Sequence, residues 1–316
     1  MRHFAAAEID AALDFPSLID ALAEAFRGGF HAPPRSHHAI ERPDEATATT
    51  LLMPAWTTFG SADDFLGAKI VNVFPGNGRR GLPAVQGIYV LQSGATGAPI
   101  ATLDGARLTL WRTAAASALA TRYLARPDAQ RLLLVGAGQL APFLARAHRS
   151  QRSIESIAVW NHRPEGARKL AAALVAEGFR ARAVELLEDA VREADVISCA
   201  TLSEAPLVRG AWLRPGQHLD LVGAFSMRMR EADDAALKRA RIFVDTQAAL
   251  DEGGDVALGL KDGAITPADV AGDLAALARG APGRRSADEI TLFKSVGASI
   301  EDLAAAILVW KTAGGR

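Results

Sequence analysis

One cysteine, Cys199, occurs in the 316 residues. A lone thiol closes no internal disulfide, which fits a reducing compartment. It lies in Val196-Ile197-Ser198-Cys199-Ala200, a run with the look of a buried strand, and reads as a small core residue. An excess of either charge is missing too: 35 Lys and Arg face 36 Asp and Glu, for a formal charge of -1. Nothing in that balance calls for nucleic acid or an anionic membrane as a partner. No apolar run approaches the roughly 18 residues that span a bilayer, and Leu303 to Trp310 is too short. The opening Met1-Arg2-His3-Phe4, with Glu8 and Asp10 behind it, lacks the charged-then-apolar layout of a secretory signal, so the expected location is the cytoplasm. Metal-ligand spacing is absent: His31, His37 and His38 sit in a Pro-rich loop, and His148, His162 and His218 are scattered and read as structural, so no metal is expected. There is no G-x-S-x-G elbow to present a nucleophile, and no internal repeat or low-complexity tract.

What is present is an ordinary globular composition, 49% hydrophobic and 22% charged, on a chain long enough for two domains. Its most telling stretch is Leu132-Leu133-Leu134-Val135-Gly136-Ala137-Gly138-Gln139-Leu140-Ala141. A continuous apolar run marks a parallel strand buried on both faces. The G-x-G-x-x-A that follows lets the backbone turn tightly and approach a pyrophosphate at a helix N-terminus. A helix pattern from Pro142 to His148 and a second strand from Ile154 to Trp160 supply the context this motif requires. After that strand an NAD-preferring domain places Asp or Glu, about 20 residues beyond the glycines. Here stand Trp160-Asn161-His162-Arg163, with no carboxylate before Glu165. Asn161 can hydrogen-bond a 2′-phosphate and Arg163 offers it a planar fork, so NADP(H) is expected over NAD(H), which remains possible.

Strand and helix patterns alternate beyond Arg131. Helices are expected over 168–177 and 186–192, and strands over 181–184, 195–200, 218–222 and 241–245, which is the signature of a parallel sheet with right-handed crossovers. Residues 125–285 are thus read as a Rossmann-type, doubly wound α/β domain. Glu231 and Asp233 read as charges at a helix start. Residues 1–124 differ: an amphipathic helix from Phe15 to Phe26 precedes strands over 49–54, 66–74, 87–92 and 100–104 without intervening helices, so an antiparallel or mixed sheet is expected. A helix from Thr113 to Leu124 links the two domains. The last helix, Ile300 to Trp310, is expected to return to the first domain, giving it residues 286–316, with Pro282-Gly283-Arg284-Arg285 as an exposed junction.

Three basic residues of the first domain stand out. Arg35 follows Pro33-Pro34, Lys69 lies inside an apolar strand, and Arg112 begins an alanine-rich helix. A lysine buried there without a partner costs several kcal/mol, so Lys69 requires an anion from the protein or from a ligand. Singly, each reads as an ion pair or a solvated charge; together they suggest a carboxylate pocket.

The ordered pieces Gly67-Ala68-Lys69-Ile70-Val71 with Phe74-Pro75-Gly76-Asn77, Leu103-Asp104-Gly105, Arg112-Thr113-Ala114-Ala115-Ala116, Val135-Gly136-Ala137-Gly138, Val222-Gly223-Ala224 with Arg230-Glu231-Ala232-Asp233, and Ile290 to Gly297 resemble the ornithine cyclodeaminase/mu-crystallin family over nearly the whole chain. The resemblance implies a homodimer whose first domain, with the C-terminal helix, binds substrate and carries the dimer contact. It implies that Arg35, Lys69 and Arg112 hold the carboxylate of an amino or imino acid, with Lys69 and Arg112 closest to the chemistry. Cofactor contacts are implied for Thr113, Gly136, Ala137, Gly138, Gln139, Leu140, Asn161, His162, Arg163, Ala200, Thr201, Val222, Gly223, Ala224, Lys294 and Ser295.

One departure bears on the reaction. Ornithine cyclodeaminases carry an aspartate two residues beyond the glycine of the Val222-Gly223 motif, where this chain has Phe225. Phenylalanine neither accepts a proton nor pairs with an ammonium. Gly223-Ala224-Phe225 is similar instead to members that reduce cyclic imines, which implies an NAD(P)H-dependent reductase with Phe225 as an apolar wall for the ring. A core aromatic is the plain alternative for Phe225. The alternatives for the chain are ornithine cyclodeaminase proper, an L-alanine or other amino-acid dehydrogenase, and a non-catalytic binding protein of the crystallin type.

Overall fold

The computed structural model describes residues 1–60 and 64–315. In chain order they form β1 (Arg2–Phe4), α1 (Ala6–Ala12), α2 (Phe15–Arg27), β2 (Phe30–His31), β3 (Ser36–Ile40), β4 (Ala48–Thr57), β5 (Phe65–Val73), β6 (Val85–Ser93), β7 (Pro99–Asp104) and α3 (Gly105–Leu124). The chain continues through β8 (Arg131–Val135), α4 (Ala141–Gln151), β9 (Ser156–Trp160), α5 (Pro164–Ala176), β10 (Ala181–Ala183), α6 (Leu187–Glu193), β11 (Val196–Cys199) and β12 (His218–Leu221). It closes with α7 (Asp234–Arg239), β13 (Arg241–Val244), α8 (Gly254–Lys261), β14 (Val270–Asp273), α9 (Leu274–Ala278), β15 (Thr291–Lys294) and α10 (Ser299–Thr312). Two compact units result: Met1–Arg112 with Ala298–Arg316, and Thr113–Gly297. Among the described residues no helix is long and apolar enough to cross a membrane.

The first unit is built on a mixed sheet of seven strands, ordered β1-β7-β6-β5-β4-β2 with β3 also on β4. Among the described residues of this sheet, only β1 and β7 pair in parallel. Period-2 alternation turns Met53, Lys69 and Tyr89 to the inner face in register, and Leu52, Ile70 and Ile88 to the outer one. Helix α2 starts where Asp14 accepts the Ser17 amide at 2.9 Å, carries Pro16 in its first turn, and buries Phe15, Leu18, Ile19, Leu22 and Phe26 along one stripe. Helix α10 packs against α2 and against β4, β5 and β6.

The second unit is an eight-stranded, wholly parallel sheet ordered β10-β9-β8-β11-β12-β15-β13-β14. The order reverses beside β8, so the crevice outside the strand C-termini lies between the turns after β8 and β11. Its centre holds a buried polar group, Asp220, which accepts from Ser198 Oγ at 2.6 Å and Ser117 Oγ at 3.0 Å. Burial brings His218 down to about 3, so its ring stays neutral.

Several expectations require correction. Helix α3 begins at Gly105, not Thr113: Asp104 accepts the Arg107 amide at 2.9 Å and caps it, so Arg112 lies inside the helix. The units divide between Arg112 and Thr113 and between Gly297 and Ala298, not at 124/125 and 285/286. The second shift comes from β15, which inserts between β12 and β13 and pairs with both. Nor is 282–285 a loose junction. Arg284 donates through Nε to Leu124 O at 2.7 Å and through Nη2 to Gln217 O at 3.0 Å, and a Cβ on Gly283 would meet Tyr123 O at 2.5 Å.

Candidate active site

In the first unit, Lys69 projects from the middle of β5 with its side chain 2% exposed. Its Nζ donates to Asp302 Oδ1 at 2.8 Å, lies 2.7 Å from Oδ2, and reaches Thr109 Oγ1 at 3.4 Å. Arg112, buried on α3, donates through Nε to the same Asp302 Oδ1 at 3.1 Å and through Nη1 to Glu301 Oε2 at 2.7 Å. The anion that Lys69 required therefore comes from the protein, from the first turn of α10. Two cations and two carboxylates make the cluster neutral overall. Burial, reinforced by Arg112, brings the Lys69 ammonium down to about 8 against the opposing pull of Asp302 and Glu301. Tyr89, opposite Lys69 in the β5–β6 register, is wholly buried, and its hydroxyl has no hydrogen-bond partner among the described residues. Gly67 makes room for it, because a Cβ there would sit 2.4 Å from the phenol oxygen. Arg35 stands half-buried in the turn between β2 and β3.

In the second unit the strand register aligns Trp160, Val135, Cys199, Leu221 and Lys294 at the ends of β9, β8, β11, β12 and β15. The residues one step beyond, Asn161, Gly136, Ala200, Val222 and Ser295, therefore share one edge of the sheet. Gly136 has φ +108° and lies so close to the next turn that a Cβ would sit 2.6 Å from Ala200 O. Gly138 is exposed, and nothing stands within 4 Å of the Cβ position. Ala137 and Leu140 are half-buried and Gln139 is exposed ahead of α4, whose first-turn amides have no intrahelical acceptors. This bare-backbone cradle at a helix start fits a dinucleotide pyrophosphate. Asn161 Nδ2 donates to Arg163 O at 3.0 Å, and His162 and Arg163 are exposed beside it. Thr113 is half-buried on α3, and Thr201, Gly223 and Ala224 lie in the turns after β11 and β12.

Two of the residues implied for the cofactor are buried, and one charge is placed differently from expectation. Lys294 is wholly buried, donating to Leu221 O at 3.2 Å and pairing with Asp255 at 3.3 Å, so its ammonium is spent inside the protein. Ser295 is also buried, its amide on Leu221 O at 3.1 Å. Asp233 caps α7 through the Ala236 amide at 2.9 Å, but Glu231 is no surface charge at a helix start: it is wholly buried. Phe225 is 40% exposed in the turn after β12, which removes the core-aromatic alternative. The sequence reading missed Glu301, Asp302, Tyr89 and the burial of Glu231.

Comparison with known proteins adds to this geometry. The family model described as "Ornithine cyclodeaminase/mu-crystallin family" matches residues 4–315. A Δ1-pyrroline-2-carboxylate reductase of Paracoccus denitrificans (strain Pd 1222) is 44% identical over 254 residues, covering 79% of this chain and 80% of the relative. The structure of the Thermococcus litoralis Δ1-pyrroline-2-carboxylate reductase in complex with NADH and L-proline superposes with a TM-score of 0.92 at 32% identity, covering 99% of this chain and 97% of that one. An archaeal alanine dehydrogenase dimer with bound NAD superposes with a TM-score of 0.90 at 30% identity, covering 99% and 96%.

Proposed function

The chain belongs to the ornithine cyclodeaminase/mu-crystallin family, and from that premise we propose that it reduces cyclic imino acids, Δ1-pyrroline-2-carboxylate or Δ1-piperideine-2-carboxylate, to L-proline or L-pipecolate with NADPH preferred over NADH. The observation that carries this reading is Phe225, an apolar side chain half-open to solvent at the strand edge shared by the dinucleotide residues. A lyase acting on a diamine needs a carboxylate at that position; a reductase needs only a wall for the ring.

The reduced nicotinamide supplies a hydride to the imine carbon. The imine nitrogen of such substrates is protonated near neutral pH, so no side chain has to deliver a proton before the C=N bond is reduced. Arg35, Lys69 and Arg112 hold the substrate carboxylate. Charge balance within the Lys69, Arg112, Glu301 and Asp302 cluster serves the same end: donors are offered to a carboxylate without a net positive charge to oppose the iminium beside it. The Gly136–Leu140 turn holds the pyrophosphate, and Asn161 with Arg163 holds the 2′-phosphate.

The protein works as a cytoplasmic homodimer on this reading. Leu52, Ile70 and Ile88, paired across β4, β5 and β6, are 39%, 37% and 39% exposed on the outer face of the first sheet, a surface that a second copy would cover. Sedimentation velocity should give twice the chain mass.

The decisive assay follows loss of nicotinamide absorbance with each imine and each cofactor, with L-ornithine plus NAD run for ammonia release and pyruvate plus ammonia run for a linear imine. Fast NADPH oxidation with a cyclic imine is the expected result. Ammonia from ornithine would overturn the reading of Phe225, and turnover confined to pyruvate plus ammonia would favour an alanine dehydrogenase. Asn161→Asp places a carboxylate against the 2′-phosphate, so KM for NADPH should rise by about 10–100-fold while KM for NADH holds or falls.

A further inference from the structure

Glu231 sits wholly buried between β12 and α7, and each oxygen of its carboxylate serves a different turn. Oε1 accepts the Thr201 amide at 2.6 Å and the Thr201 hydroxyl at 2.9 Å, after β11. Oε2 accepts the amides of Gly223 at 2.8 Å and Ala224 at 3.3 Å, after β12. The turns touch: a Cβ on Gly223 would lie 2.0 Å from Thr201 O. Asp255 of α8 fixes Glu231 in place, accepting its amide at 2.7 Å and that of Ala232 at 2.9 Å. Lys294 of β15 pairs with the other oxygen of Asp255 at 3.3 Å. Two carboxylates and one ammonium thus converge behind the ends of β11 and β12.

We propose that Glu231 is a positioning residue for the nicotinamide half of the cofactor, its ionised carboxylate tying the turn after β11 to the turn after β12 and so setting the strand ends over which that half lies. In an open parallel sheet the ligand occupies the crevice beyond the strand C-termini. With the pyrophosphate on the Gly136 turn, the remaining half falls to β11 and β12. The proposal rests on the use of a nicotinamide cofactor, not on which imine is reduced. Burial lifts the Glu231 carboxyl to about 7, Lys294 and the Thr201 donors opposing the lift and Asp255 adding to it. The Cys199 thiol, from β11, also faces this group and is itself pushed up by burial. As pH falls through that value, one oxygen becomes an O–H confronting N–H donors, so the tie loosens and dinucleotide affinity is lost.

The test is calorimetric binding of NAD⁺ and NADH to the full chain, since both lack the titrating 2′-phosphate, at pH values on either side of about 7. Affinity of the parent should fall on the acid side. Glu231→Gln, which cannot accept at both ends, should bind about tenfold more weakly at alkaline pH, about 1.4 kcal/mol, and lose the pH dependence. A folded E231Q that at alkaline pH binds within about twofold of the parent, or that keeps the parent's pH dependence, overturns the proposal. Thr201→Val provides the second arm should E231Q not fold: losing a donor to the carboxylate should raise the pH midpoint of binding, and an unmoved midpoint overturns the proposal. A parent that binds none of NAD⁺, NADH and NADPH overturns the cofactor reading as well, whereas binding without imine turnover leaves this proposal standing and sinks only the substrate.

Discussion

Asp302→Asn is expected to lower the unfolding free energy by about 3–5 kcal/mol, because breaking a buried pair from one side strands the other charge. Asp302 is bonded to both Lys69 and Arg112, at 2.7–2.8 Å and 3.1 Å. With it neutralised, Glu301 alone balances two buried cations, and Lys69 escapes the cost by shedding its proton. That loss has a signed consequence. Lys69 titrates at about 8 rather than 10.5, so the native state binds fewer protons than the unfolded one between those values. Its contribution to stability therefore rises with pH across that window, and below it the charged lysine is a burden that Asp302 offsets. Removing Asp302 moves the titration lower still. On the proposed function the ammonium is needed for the substrate carboxylate. The alkaline fall in kcat/KM for Δ1-pyrroline-2-carboxylate should then shift to lower pH, with a loss of about 100-fold or more at pH 8. Urea midpoints and the pH profile are the measurements. The double variant Lys69→Met with Asp302→Asn should regain part of the stability and none of the activity, which separates holding the fold from holding the substrate. A single D302N variant with the parent's midpoint and profile would show that the cluster matters to neither.

Why the sequence hinted at this cluster without revealing it is a matter of distance along the chain. Lys69 inside an apolar strand announced that an anion was needed, but its partner is 233 residues away. Glu301 and Asp302 look like ordinary first-turn acids, favoured by the helix dipole. The available signal was the rest of α10: Leu303 to Ala306 and Val309 are buried along with Ile300, and a charge on a helix that apolar needs a partner. Glu231 was misread for the same reason, since its offset from α7 matches a capping charge while its bonds run to turns 30 and 8 residues back. The dinucleotide turn was legible because everything it needs is contiguous, from the apolar run at Leu132 to the glycines and the helix behind them. Strand β15 was not, because Thr291–Lys294 is four residues long and only its pairing with β12 and β13 makes it central.

The two glycines of that turn should fail in different ways when given side chains. Gly136→Ala meets both obstacles at once: φ is +108°, where an L residue is strained, and the new Cβ would lie 2.6 Å from Ala200 O, a backbone atom of the neighbouring strand end. Strain of about 1–2 kcal/mol and a clash of similar size would be felt by the folded protein before any ligand arrives. Gly138→Val meets neither, because its backbone is unstrained and nothing stands within 4 Å of its Cβ position. The space it fills is the one left bare ahead of α4, where the pyrophosphate would lie against backbone. G138V should therefore melt within a degree or so of the parent in the absence of ligand, yet bind NADPH and NADH at least about 100-fold more weakly. G136A should melt earlier and bind poorly as a result. Thermal unfolding with and without cofactor separates the two: parent and G136A each gain in Tm when dinucleotide is added at a concentration that saturates them, and G138V gains nothing. Tight binding by G138V would place the pyrophosphate elsewhere and remove the reason for reading this turn as its cradle.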